Sequence, residues 1–311
     1  LFRSGANSAV TLLGTANVIG NTAKLYGGGV FVDTGSVLNM QGSAIVTPST
    51  SGDTDKPGKN DVYLKDGKTI TVDGALSKTH AARITPELYK KQTVLKADSG
   101  VTLANEVGKF TVTPDGSDTW KIDSEGKLTL YEATIKGSPS SNDAWKKLKQ
   151  AVANASDGST ITIDGEIKAT NHGSGDDANY GRITIDKDLT IKGKGGAGIL
   201  DANQLSPIFI VNYNKTFTLD HMTLKNGKKD AAPQYTGATG CGVYTYGTFN
   251  MQDSTITNCE AVGDGGGVYL ATSSSTFIMK NSTITGCTAT ENGGGVCVSG
   301  GIFKMQGSSA I

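Results

Sequence analysis

Aromatic side chains make up only 6% of the 311 residues, and there are just 7 prolines and 4 cysteines. Four cysteines in so long a chain exclude a small disulfide-stapled scaffold. No Cys-x-x-Cys occurs, so a structural zinc site is not expected. Neither sign of charge is in excess, with 29 basic against 29 acidic residues. A balanced chain lacks the long-range positive field on which nucleic-acid binding relies, so no nucleic-acid partner is expected. No apolar run approaches the ~18 residues that cross a bilayer, so no transmembrane segment is expected within the chain. Leu1 to Ala9 lack the charged-then-apolar pattern of a signal peptide. Residues 1–13 read as the tail of a repeat and Ile311 falls inside another. Both ends are therefore expected to be cut, with any leader or anchor outside this sequence.

What is abundant is glycine, 42 residues without a Gly-X-Y period. That rules out collagen and points to many tight turns, where a positive φ carries no Cβ penalty. The glycines fall into a repeated phrase: Gly27-Gly28-Gly29-Val30-Phe31-Val32, Gly240-Cys241-Gly242-Val243-Tyr244-Thr245, Gly265-Gly266-Gly267-Val268-Tyr269-Leu270 and Gly293-Gly294-Gly295-Val296-Cys297-Val298. The last three start 25 and 28 residues apart. A second apolar run follows each phrase and ends in Met40, Met251, Met279 or Met305. A third run follows as Ser254-Thr255-Ile256-Thr257 and Ser282-Thr283-Ile284-Thr285, with Thr15-Ala16-Asn17-Val18 as an earlier copy. From Met251 to Gly265 and from Met279 to Gly293 is 14 residues in each case, whereas the distance from the phrase to its Met varies. One corner takes insertions and the rest of the repeat does not, as in a solenoid whose strands must stay in register.

Each run has three to five residues rich in Val, Ile, Thr, Phe and Tyr, bounded by Gly, Asn or Ser. Repeats related by translation cannot pair as hairpins. They stack strand on equivalent strand, about 4.8 Å apart. The expected fold is all-β: a right-handed parallel β-helix solenoid with three short strands per coil. Inward ladders are expected for Val243/Val268/Val296, Met251/Met279/Met305 and Ile256/Ile284. Cys259 and Cys287 share one slot, which Asn21 fills in the first copy, and neighbouring coils are close enough to leave a Cys259–Cys287 bridge open.

Four segments are expected. Residues 1–57 read as the C-terminal coils of a first β-helix, and Pro48 to Asn60 as a linker. Residues 58–135 read as a β-rich terminal coil and cap module, since an open parallel edge needs cover. Residues 136–157 read as linker and capping helix: over 142–155, Trp145, Leu148, Val152 and Ala155 share one face, Ser141 or Asn142 can cap it, and Gly158 ends it. Residues 158–311 read as a second, truncated β-helix.

Taken together, these features resemble the bacterial right-handed β-helix superfamily with the pectin-lyase-like fold. Within it the chain looks most like polymorphic-outer-membrane-protein-like and related repeat-rich surface proteins. Those carry Gly-Gly-Ala-Ile and Phe-x-x-Asn motifs. Here Gly-Gly-Gly-Val takes the first role and Phe209-Ile210-Val211-Asn212 matches the second. The resemblance implies an extracellular protein, secreted or displayed on a bacterial surface or outer membrane. It implies a non-enzymatic, adhesin-like scaffold whose partners are host glycans, matrix or other surface proteins. The same fold also hosts polysaccharide lyases and glycoside hydrolases. The residues that would serve that alternative are Asp176 and Asp177, which resemble the Gly-Asp-Asp of β-helix pectinases. Their Gly-His-Gly and Asn-Thr-Asp partners are missing, so the segment reads as a solvated loop. Calcium is the cofactor such a loop would take, and no other is expected. Asp220-His221 reads as a turn or surface pair, and His80 has no visible partner.

Overall fold

The computed structural model describes residues 2–4, 8–47, 57–138, 140–228 and 240–311. Residues 48–56, most of the expected linker, lie outside that description. The fold is nearly all β, a solenoid of about 10 stacked parallel coils with a few short helices. The chain forms two compact units, Leu1–Tyr131 and Glu132–Ile311.

In the second unit the three strands of each coil stack on their copies. Ile183–Ile185, Phe209–Val211, Val243–Thr245, Val268–Leu270 and Val296–Val298 form one parallel sheet. Thr216–Asp220, Thr248–Gln252, Thr276–Lys280 and Ile302–Gln306 form a second ladder. Met222–Lys225, Thr255–Thr257 and Thr283–Thr285 form the third. All three expected inward ladders are present in register. The coils turn between the second and third strands at His221, Asp253 and Asn281, each with φ between 47 and 53°. In the two earliest coils that corner is spanned without a break, by Ala155–Lys168 and Leu189–Asp201.

The core is a column of aromatic rings. Phe217, Phe249, Phe277 and Phe303 stack at centroid distances of 5.6, 4.9 and 4.9 Å. Phe209 joins the column at 4.7 Å from Phe217. Phe209 to Phe277 are wholly buried. Burial stabilises by roughly 1.5–3 kcal/mol per ring, and stacking adds about 0.5–1.5 kcal/mol for each pair.

The three glycines of a Gly-Gly-Gly phrase serve three separate purposes, and one copy replaces the second with the buried Cys241. The first, Gly240, Gly265 or Gly293, holds a left-handed φ of 62 to 66°. The second lies against the next coil's backbone: a Cβ on Gly266 would stand 2.5 Å from the Gly294 carbonyl oxygen. The third faces the dry interior: a Cβ on Gly267 would stand 2.5 Å from the Gly295 oxygen and 2.8 Å from Ile284 Cγ2.

The helix runs from Ala144 to Asn154 and buries Ala144, Trp145, Leu148, Ala151 and Val152. Its ends are satisfied by side chains from outside it, two of them distant in sequence. Asn179 Oδ1 accepts hydrogen bonds from the amides of Trp145 and Lys146 at 2.9 and 3.1 Å. Ser141 Oγ accepts one from the Ala144 amide at 3.2 Å. At the other end the buried Lys187 ammonium donates to the carbonyls of Val152 and Ala153, where a cation meets the negative end of the helix dipole. Gly158 does not end the helix. Ala155 already begins the next strand, and Gly158 takes φ 81° inside it. Asn179→Ala strips two amide donors of their partner at a buried helix start. It is expected to lower stability by about 1–2 kcal/mol, read from urea unfolding followed by tryptophan fluorescence in a Trp120→Phe background.

In the first unit the parallel stack runs on past residue 57. Val30–Val32 pairs with Val62–Leu64, which pairs with the end of Ala82–Pro86. Val37–Gly42 pairs with Ile70–Leu76, which pairs with Leu95–Ala97. Phe110–Val112 closes this run on Ala82–Ile84. Gln92–Thr93, by contrast, pairs antiparallel with Lys127–Leu128. One coil after Gly27-Gly28-Gly29 the glycine phrase is hidden, because Asn60-Asp61 stand where Gly28-Gly29 stand. Asp61 Oδ1 accepts from the Gly28 amide at 2.8 Å. Asn60 Oδ1 accepts from the Asn21 backbone and side chain at 3.1 Å, and its Nδ2 donates to the Val18 carbonyl. Two polar side chains thus add to the backbone coil-to-coil bonds at this corner, where the amides of Gly29 and Val30 donate to the Asp61 carbonyl.

Candidate functional site

Outward-facing positions of the strand that follows the glycine phrase collect aromatic rings. In the second unit the outward column reads Ile210, Tyr244, Tyr269 and Cys297, each in register with the next. Tyr244 and Tyr269 lie 5.1 Å apart between ring centroids. Tyr246, just past the strand, lies 4.9 Å from Tyr244 and stacks at 4.6 Å on Tyr213 of the previous coil. Tyr213 is 55% exposed. Four tyrosines from three coils therefore form one continuous ladder along the surface. The Tyr244 hydroxyl donates to the Tyr246 hydroxyl at 3.3 Å. Burial, then the contact with Tyr246, drives the Tyr244 phenol well above its usual range, so that ring stays neutral at any physiological pH.

The first unit repeats the arrangement. Phe31 and Tyr63 are in register and stack at 4.9 Å. Tyr26, 45% exposed, stacks on Tyr63 at 4.6 Å. Burial, reinforced by Glu87 and Tyr26, pushes the Tyr63 phenol up to about 12. Phe31, Tyr244 and Tyr269 share one slot of the repeat, whereas the repeat spacing does not reveal Tyr63, Tyr213, Tyr246 and Tyr26. Tyr63 was legible as Val62-Tyr63-Leu64, a copy of Val268-Tyr269-Leu270 without its glycines. Tyr213 and Tyr246 sit at corners of variable length, where spacing gives no register.

Asp176 and Asp177 lie in the exposed one-turn helix Gly175–Asp177. Asp177 is ion-paired to Lys146. The hydrogen bond and charge of Lys146 hold the Asp177 carboxyl below the usual carboxylate range. A general acid must keep its proton near neutral pH, which the lysine opposes. Asp176→Asn combined with Asp177→Asn is expected to leave the melting temperature unchanged, because an ion pair open to solvent contributes little; differential scanning calorimetry checks this.

Asp220, His221 and Asp253 each present a ligand atom within 4.8 Å of the others. His221 Nδ1 lies 2.6 Å from Asp220 Oδ1. His221 occupies the left-handed corner position and Asp253 the same position one coil on. The stacking of corners brings the three together, and the His221–Asp220 hydrogen bond joins two of them. His80 contacts only its neighbour Thr79, at 3.2 Å, among the hydrogen bonds of the described residues.

None of the four cysteines is in a disulfide. Cys259 and Cys287 occupy the shared slot expected of them, between the paired residues Thr257/Thr285 and Glu260/Thr288. No helix of the described residues is long and apolar enough to cross a membrane. Compared with protein-family models, curated proteins and solved structures, the chain matches none of them significantly.

Proposed function

We propose that this chain is a non-enzymatic, extracellular surface scaffold, adhesin-like, that binds glycans along its stacked outer faces. The observation that carries this reading is the tyrosine ladder Tyr213, Tyr246, Tyr244 and Tyr269, whose rings follow one another at 4.6 to 5.1 Å. Aromatic faces pack well on the C–H faces of sugar rings, and phenolic hydroxyls exchange hydrogen bonds with sugar hydroxyls. Tyrosine supplies this contact with little side-chain entropy to lose. A ladder whose period is set by coil stacking suits a ligand that is itself a chain of similar units. Many weak contacts in a row then give avidity without a deep pocket. The resemblance of the Gly-Gly-Gly-Val repeats and Phe209–Asn212 to surface β-helix proteins supports display outside the cell.

Binding to a panel of neutral and acidic polysaccharides, measured by calorimetry, tests the ladder. Tyr246→Ala with Tyr269→Ala is expected to weaken the best ligand by about tenfold or more, which corresponds to ~1.4 kcal/mol, without changing the circular dichroism spectrum. Unchanged affinity in that variant, or no binding by the parent chain, contradicts the reading. Display is tested on intact cells with a membrane-impermeant label. Labelling only after lysis counts against it.

A further inference from the structure

We propose that Cys259 and Cys287 form a reactive dithiol, one residue on each of two adjacent coils, which exchange with a small-molecule disulfide converts into a coil-to-coil disulfide. Register places the two residues directly above one another, since Thr257 pairs with Thr285 and Glu260 with Thr288. Stacked strands stand about 4.8 Å apart, within the ~4.4–6.8 Å between Cα atoms that a disulfide spans. Each thiol donates to a backbone carbonyl two residues before it, Cys259 to Thr257 and Cys287 to Thr285, both at 3.6 Å. Their environments differ in the way that exchange requires. Cys259 is wholly buried, whereas Cys287 is partly exposed. The contact with Cys259 lowers the Cys287 thiol below its ordinary value, while the contact with Cys287 and burial raise Cys259. Cys287 is thus the attacking thiolate and Cys259 the resolving thiol.

The steps balance. The Cys287 thiolate attacks one sulfur of the small disulfide, a mixed disulfide forms on Cys287, and one small thiolate leaves. Cys259 gives up its proton and attacks Cys287 Sγ. The Cys259–Cys287 bond forms and the second small thiolate leaves. The two protein thiols are oxidised, and the small disulfide is reduced to two thiols. Cys241 is also buried, and the next coil has Gly266 in its slot. Cys297 lies outside the slot, facing outward opposite Tyr269.

The test is incubation of the purified, reduced chain with oxidised glutathione, then denaturing alkylation and digestion after acidic residues. Cleavage at Asp253 separates Cys259 from Cys241, and cleavage at Glu291 separates Cys287 from Cys297. The expected result is a Cys259–Cys287 cross-linked peptide, with alkylation of both reduced by at least about tenfold and Cys241 and Cys297 still alkylated. Cys259→Ala is expected to stop at a glutathione adduct on Cys287, and Cys287→Ala to leave Cys259 unmodified. Full alkylation of both in the parent chain, or a link from Cys259 to Cys241 instead, would overturn the proposal. So would a parent chain that accumulates only the glutathione adduct on Cys287.

Discussion

Phe249→Ala is expected to destabilise the second unit by about 3–5 kcal/mol, the usual cost of emptying a ring-sized site in a packed core. Phe249 is wholly buried between Phe217 and Phe277, with ring planes only 15° and 10° from parallel. Nothing beside it can collapse into the space, because each neighbour belongs to a coil whose height is fixed by backbone hydrogen bonds. Phe303 offers the internal comparison. It belongs to the same column but is only half-buried, so Phe303→Ala is expected to cost less than half as much. In a solenoid each coil answers mainly to its neighbours. The loss should therefore be greatest in hydrogen exchange of the coils at Thr216–Asp220, Thr248–Gln252 and Thr276–Lys280, and small near the helix. Equal costs at the two positions, in urea unfolding, would mean that the rings are not a stacked column.

The second large effect is expected from the smallest side chain. Gly267→Ala adds one methyl group, yet that carbon would lie 2.5 Å from the Gly295 oxygen, 2.8 Å from Ile284 Cγ2 and 3.4 Å from Cys287 Sγ. Neither backbone oxygen nor β-branched ladder residue yields at low cost, so the coils must part. Overpacking of this kind typically costs about 1–3 kcal/mol, and backbone contacts raise it further. Gly108 is the control. Its Cβ would meet nothing within 4 Å, and its φ is not in the left-handed region. Gly108→Ala is expected to be neutral or slightly stabilising, since it removes chain entropy from the unfolded state. The pair separates steric need for glycine from mere tolerance of it. Thermal unfolding of both variants reads the difference.

These two effects also mark where the sequence was transparent. Val268, Met279 and Ile284 repeat at fixed spacing because inward positions must stack, so spacing alone gave the ladders. The phrase Gly265-Gly266-Gly267 declared a turn, but its three reasons came only with the neighbouring coil in place. Asn60-Asp61 hid a repeat of that phrase because side-chain oxygen and amide groups add there to what bare backbone does elsewhere. The capping of the helix by Asn179 was equally hidden, since 33 to 34 residues separate cap from helix. Of the surface ladder, Tyr244 and Tyr269 were visible in the repeat. Tyr213 and Tyr246 were not, because corners of variable length carry no period. Asp176 and Asp177 stood out as a motif, and the structure pairs Asp177 with a lysine that keeps it ionised.

Methionine methyl NMR bears most directly on the layering of the coils. The chain has only 5 methionines, so selective labelling gives one resolvable signal for each. Stacked coils place Met279 between Met251 and Met305. Nuclear Overhauser contacts are therefore expected from Met279 to both, with none from Met251 to Met305. A spectrum in which Met279 touches neither, or in which Met251 and Met305 touch each other directly, would contradict the stacked solenoid on which every inference above depends.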